Sequence, residues 1–143
     1  TKGRSVDDNL AQIPEFERRW RDYLEIRKLA KGGNGPLFPK QWGFPERDVF
    51  YNSLSFKGWG GASGHDAPMI AYDALMWAGS NYEKLCYAAC IHGGDSDSTG
   101  VIALAWWGAI YGFKGVPENH FATIEFKDKL EHLASQLLLK YTK

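Results

Sequence analysis

Cysteine is scarce in this chain. Its 143 residues hold two, Cys86 and Cys90, four apart on a predicted helix. That spacing puts both thiols on one helix face, a poor arrangement for a disulfide, and two thiols do not make a structural zinc quartet. Small buried thiols in a reducing, cytoplasmic setting are the expectation. Excess charge is missing too: 17 basic residues balance 17 acidic ones, so nothing advertises a polyanionic partner such as nucleic acid. No apolar run approaches the ~20 residues needed to span a bilayer, and no membrane partner is expected. No signal-peptide pattern opens the chain, whose first residue is Thr1 rather than Met. A fragment, a processed product or one part of a longer protein is therefore expected. Internal repeats and low-complexity tracts are absent as well.

What is present suits a helical core. Hydrophobic residues make up 44% and aromatic residues 15%, enough for one domain's worth of chain. Ser5 is placed to cap a short helix over 6–12. Phe16, Trp20, Tyr23, Leu24 and Arg27 follow the spacing of one helix face, which predicts an amphipathic helix over 13–31, ended by the glycines at 32–35. Residues 36–45 carry three prolines among Leu37, Phe38, Trp42 and Phe44. That composition reads as an ordered, aromatic-pinned loop and not as a linker. A short helix follows over 46–54. Asp66 is a good N-cap for a helix over 67–78, and Asn81 for one over 82–91. Residues 98–111 are apolar all round, as expected of a helix in the middle of an all-α protein. Burying both of its faces needs helices on each side, which 143 residues barely provide. A leucine stripe predicts a last helix over 127–141.

The chain is organised around His92-Gly93-Gly94-Asp95-Ser96-Asp97-Ser98-Thr99-Gly100. Two carboxylates and three hydroxyls crowd into five residues, and such hard oxygens suit Mg2+ or Ca2+. In a continuous helix the aspartates would point to nearly opposite sides; the two glycines supply the break. One alternative is plain N-capping, with the second acid complementing the helix dipole. Another is an EF-hand, because Asp95, Asp97, Thr99 and Gly100 fall at loop positions 1, 3, 5 and 6. That reading fails at position 12, where a bidentate Glu belongs and Trp106 stands. A metal site whose remaining ligands come from elsewhere is the better reading. His92 reads as a group that hydrogen-bonds to backbone and shapes the loop, since hard Mg2+ prefers oxygen to imidazole.

A second stretch carries chemical content. Ser55-Phe56-Lys57-Gly58-Trp59-Gly60-Gly61-Ala62-Ser63-Gly64 has four glycines in its last seven residues. Such a segment is either an ordinary loop or a concavity whose backbone N–H groups hold an anion. It is neither a Walker loop nor a dinucleotide fingerprint.

The string HGGDSDSTG, followed by WWGAIYGFKGVP, resembles the ADP-ribosylglycohydrolase family, specifically its ADP-ribosylarginine hydrolase branch. The resemblance continues upstream through Phe38-Pro39, Glu46-Arg47-Asp48, Phe50-Tyr51, the stretch 54–61 and the stretch 63–74. It implies an all-α fold, of which residues 1–143 would form a single partial domain, the C-terminal half. It also implies two Mg2+ ions, with Asp95, Asp97 and Ser98 as this chain's metal ligands. Trp59, Gly60, Gly61 and Ser63 would contact substrate, with Phe56 as an aromatic wall. The family's Asp-Asp pair is flanked by threonines. Asp7-Asp8 lies between Val6 and Asn9 and is read as a solvated helix end. No catalytic acid of the family then falls in this chain.

The implied activity is Mg2+-dependent hydrolysis of the N-glycosidic bond of ADP-ribosyl-arginine, with an ADP-ribosylated protein or ADP-ribose as partner. It would require an N-terminal half, or another protein chain, that is absent here. The alternative is a catalytically silent structural or interaction protein built on the same scaffold.

Overall fold

The computed structural model describes residues 3, 5–32 and 35–142. Among the described residues all regular structure is helical, as expected. The helices are α1 (Val6–Leu10), α2 (Ile13–Ile26), α3 (Phe44–Leu54), α4 (Asp66–Ala78), α5 (Tyr82–Ala89), α6 (Ser96–Tyr111) and α7 (Lys127–Tyr141), with a 3-10 turn at Glu118–His120. The chain divides into two compact units, one ending at Gly112 and the other beginning at Phe113.

The first unit is built on α4, which packs against α3, α5 and α6. Its sequence makes this possible. Ala67, Ala71, Ala74 and Ala78 are small and buried, so neighbouring backbones come close around Met69 and Ile70. The central position expected for residues 98–111 thus belongs to α4. On α6 only Thr99, Gly100, Ala103 and Trp107 are buried, while Val101 and Ile110 stand exposed. One face of α6 meets α4 and α5, with Trp106 edge-on against Tyr72 of α4 and Ile102 and Leu104 half-buried, while Val101 and Ile110 face away.

The short opening helix begins as expected. Ser5 Oγ accepts the Asp8 N–H at 3.1 Å and the Asp8 carboxylate accepts the Ser5 N–H at 3.0 Å, a reciprocal capping box. Asp8 is thereby engaged at a helix end. Helix α2 stops five residues before its expected end. Lys28 takes up the left-handed conformation (φ 60°). Its N–H bonds to the Glu25 carbonyl at 3.0 Å, and the Leu29 N–H bonds to that of Leu24 at 2.7 Å. This is a Schellman motif with lysine where glycine is usual.

The early stop turns Arg27 inward. Its Nε and Nη2 donate to the two Asp73 carboxylate oxygens at 2.6 and 3.1 Å, and Tyr23 donates its hydroxyl to the same carboxylate at 2.9 Å. The guanidinium lies 4.2–4.4 Å from the ring centres of Phe38, Trp42 and Phe50. One buried ion pair therefore joins α2 to α4 and gathers the aromatic loop 36–45 and α3 around it. Burial pushes the Asp73 carboxyl up; the Arg27 fork and the Tyr23 hydroxyl pull it back.

Helix α3 starts two residues earlier than expected, because Glu46 accepts the Gly43 N–H at 3.0 Å and Pro45 sits in the first turn. Asn81 caps α5 as expected, accepting the Lys84 N–H at 2.9 Å. In the second unit the Phe113 and Phe121 ring centres lie 4.8 Å apart with the planes tilted by 49°, and Lys127 Nζ lies 5.4 Å from the Phe121 ring. There α7 has the bounds its leucine stripe predicts.

Asp73→Ala would leave the Arg27 charge buried without its counter-ion. Urea unfolding is expected to show a loss of about 3–5 kcal/mol; a loss below about 1 kcal/mol would mean the pair does not hold α2 to α4.

Candidate active site

The two glycine-bearing stretches meet backbone to backbone. The Asp95 N–H donates to the Gly60 carbonyl at 2.8 Å. A Cβ on Gly94 would overlap that same carbonyl, and one on Gly61 would lie 2.8 Å from both the Asp95 carbonyl and the Thr99 methyl. A Cβ on Gly60 would press on the Tyr51 carbonyl at 3.0 Å. Glycine is required at these positions by close approach, whatever its turn preferences.

Each stretch is also fixed from behind. Asp66, fully buried, does not cap α4 through its side chain as the sequence leads one to expect. Its carboxylate turns back and accepts the Ser63 N–H at 2.9 Å and the Phe56 N–H at 3.3 Å. The Gly60 N–H donates to Asn52 Oδ1 at 3.2 Å. Three amides of the glycine-rich stretch are thus engaged inside the protein. His65 Nε2 faces the Leu54 carbonyl at 3.2 Å, so Nε2 carries the proton and Nδ1 accepts from the Ser63 hydroxyl at 3.0 Å. The Phe56 and Trp59 rings stay exposed.

The second stretch is shaped by His92, as expected. Thr99 Oγ1 donates to the Ala89 carbonyl at 2.7 Å, so His92 Nε2, 2.8 Å from that oxygen, must be the donor to it. His92 Nδ1 then accepts the Gly94 N–H at 3.1 Å. This network needs a neutral imidazole in one tautomer. Burial lowers its pKa, and Asp48 and Asp95 offset only part of that.

Asp95 precedes α6 and Asp97 lies in its first turn. Plain capping does not account for Asp95, whose side chain makes no cap hydrogen bond of good geometry. It meets Asp97 instead. A hydrogen bond between the carboxyls raises Asp95 above the usual range and lowers Asp97, while the nearby Ser98 hydroxyl and N–H temper the rise. Asp95, Asp97 and Ser98 are therefore brought together, beside Gly60 and Gly61. The oxygens suit a hard divalent ion. Among the described residues, no group of three or more His, Cys, Asp or Glu side chains could hold a metal.

Sequence reasoning passed over Asp48 and Asn52. Asp48 Oδ1 accepts the Gly93 N–H at 2.8 Å across 45 residues of chain. Beside it, the buried Arg47 donates to the carbonyls of Tyr87 and Ile91, at 3.1 and 3.4 Å, where the chain leaves α5 for the loop. The signal was the acidic residue within Glu46-Arg47-Asp48, and local pattern gives it no partner.

Two outcomes follow from this geometry. Gly94→Ala is expected to destabilise by about 3 kcal/mol in chemical unfolding, because backbone must move. Gly108→Ala, with open space around its position in α6, is expected to stabilise by about 0.5–1 kcal/mol. Because the His92 pKa is lower folded than unfolded, its contribution is complete above the unfolded value of 6.5 and is lost as pH falls below it. The thermal midpoint should drop between pH 7 and 5, and His92→Gln should flatten that slope.

A family model for ADP-ribosylglycohydrolase matches residues 2–143. The chain is 44% identical to the ADP-ribosylhydrolase ARH1 of Dictyostelium discoideum, over 85% of this chain and 34% of that protein. It is 33% identical to a protein of Acanthamoeba polyphaga mimivirus that carries the name of an ADP-ribosyl glycohydrolase, over 82% of this chain and 24% of that one. The chain thus spans about a third or less of the curated relatives it matches.

Proposed function

This chain belongs to the ADP-ribosylglycohydrolase family, and from that premise we propose that it carries one side of a Mg2+-dependent site hydrolysing the N-glycosidic bond between ADP-ribose and a protein arginine. The observation that carries the reading is the Gly60–Asp95 junction. It sets the glycine-rich stretch, with its exposed Phe56 and Trp59 rings, beside the loop that carries Asp95 and Asp97.

Asp95, Asp97 and Ser98 would hold the cation. Bound there, Mg2+ supplies Lewis-acid polarisation of substrate oxygens and activation of water. The chain's own residues do the rest of what this side contributes. Asp97, whose carboxyl the neighbouring Asp95 holds below its usual range, offers a carboxylate. The exposed rings of Phe56 and Trp59 offer faces on which a base or ribose can stack. Ser63 Oγ, which donates its hydrogen bond to His65 Nδ1, keeps lone pairs for a ligand hydroxyl. The remaining acids would come from further segments, such as those by which the relatives exceed this chain, or from another chain. By itself the chain is expected to show no turnover.

The exposed Val101 and Ile110 on α6 favour a second reading, a silent scaffold that presents this face to another protein. Assay of the natural protein separates the two. Release of ADP-ribose from ADP-ribosyl-arginine should require Mg2+, stop on chelation, and fall ~100-fold or more in kcat/KM with Asp97→Ala. Full activity in chelator, or in Asp97→Ala, would defeat the assignment of a Mg2+-dependent site to Asp95, Asp97 and Ser98. No release at any Mg2+ concentration would leave the scaffold.

A further inference from the structure

One turn of α3 touches both halves of the site. Asp48 Oδ1 accepts the Gly93 N–H at 2.8 Å, and its other oxygen faces Asn52 Nδ2 at 3.4 Å. Asn52 Oδ1 in turn accepts the Gly60 N–H at 3.2 Å. The spacing of four residues puts the two side chains on the same helix face. One reaches the loop that carries Asp95 and Asp97, and the other reaches the glycine-rich stretch. The fit is close: a Cβ on Gly93 would lie 2.8 Å from Asp48 Oδ1. The carboxylate therefore sits flush against bare backbone.

We propose that Asp48 is a positioning residue for the cation-binding loop, holding the Gly93 peptide where Asp95 and Asp97 converge and, through Asn52, fixing that loop's distance from Gly60. It acts as an acceptor of known direction and not as a ligand. Four hydrogen bonds then close a ring: Gly93 N–H to Asp48, Asn52 to Asp48, Gly60 N–H to Asn52, and Asp95 N–H to the Gly60 carbonyl. Such a ring leaves the Asp95 peptide little freedom to drift from Gly60. Cutting it at Asp48 frees the Gly93 peptide, while the His92 contacts to Thr99 and the Gly94 N–H and the helices remain. Groups that orient ligands from behind commonly matter as much as 10–100-fold to metal affinity.

The proposal rests on the reading of Asp95 and Asp97 as cation ligands, and the test separates the two. Mn2+ is titrated into the 143-residue chain and into three variants, with free Mn2+ followed by electron paramagnetic resonance. Amide exchange at Gly93 and Gly60 is measured by NMR in the same proteins without metal. Asp48→Ala is expected to weaken Mn2+ binding ~10–100-fold and to speed exchange at both glycines ~10-fold or more, with Leu85 and Ala103 unchanged. Asp48→Asn keeps an oxygen acceptor for the Gly93 N–H and is expected to stay within ~3-fold of the unaltered chain on both readouts. Asp97→Ala should abolish Mn2+ binding and leave the Gly93 amide protected. If the unaltered chain binds no Mn2+, the cation reading falls, and the exchange rates alone decide whether Asp48 holds the loop. Exchange at Gly93 and Gly60 unmoved in Asp48→Ala, or Asp48→Asn as damaged as Asp48→Ala, would overturn the proposal.

Discussion

The hydrogen bond from the Asp95 N–H to the Gly60 carbonyl is the contact on which the candidate site depends. It forms only because Gly94 and Gly61 present bare backbone to the opposing stretch. A single methyl group at either position meets a carbonyl oxygen, and no rotamer change can relieve a clash with main chain. The glycines therefore do more than allow turns. They let two loops approach closely enough to act as one surface, with carboxylates on one side and exposed aromatic rings on the other.

Behind that surface the first unit is held by buried polar groups as much as by apolar packing. Arg27 and Asp73 pair inside a ring of aromatics, Asp66 collects two loop amides, and Arg47 collects two carbonyls near the end of α5. Burying such groups is costly unless they are directed at partners. Here Arg27 and Asp73 are aimed at each other across α2 and α4, and Asp66 and Arg47 at segments that lead into the site. Small residues on α4 complement this by letting α5 and α6 lie close to it, so the loop between those helices is anchored at both ends. The division of labour is physical: alanines set the spacing, and buried charges set the loops.

Much of this could be read from sequence where the cause is local. The leucine stripe of α7, the Asn81 cap and the Ser5 cap depend on neighbours within four residues, and all three are found where local pattern puts them. The poor match of imidazole to a hard cation marks His92 as a loop-shaping group, and its two ring nitrogens are both occupied. Legibility ends where partners are distant in the chain. Nothing near Asp66 announces that its carboxylate faces backward, nor does anything near Asp48 point to Gly93. The early end of α2 has the same origin, since Arg27 gains a partner 46 residues away. For α6, composition alone could not say which face finds neighbours. The convergence of Asp95 with Asp97 was legible in outline, from the paired glycines and the acid spacing. Its closeness to Gly60 was not.

The most direct test of the account is crystallographic. Crystals of the chain grown with Mn2+, and measured at a wavelength where manganese scatters anomalously, would show where the ion sits. The account predicts a peak within bonding distance of Asp95 and Asp97 oxygens, with the Asp95 N–H still bonded to the Gly60 carbonyl. Manganese found only at other carboxylates, with Asp95 and Asp97 turned apart, would contradict it.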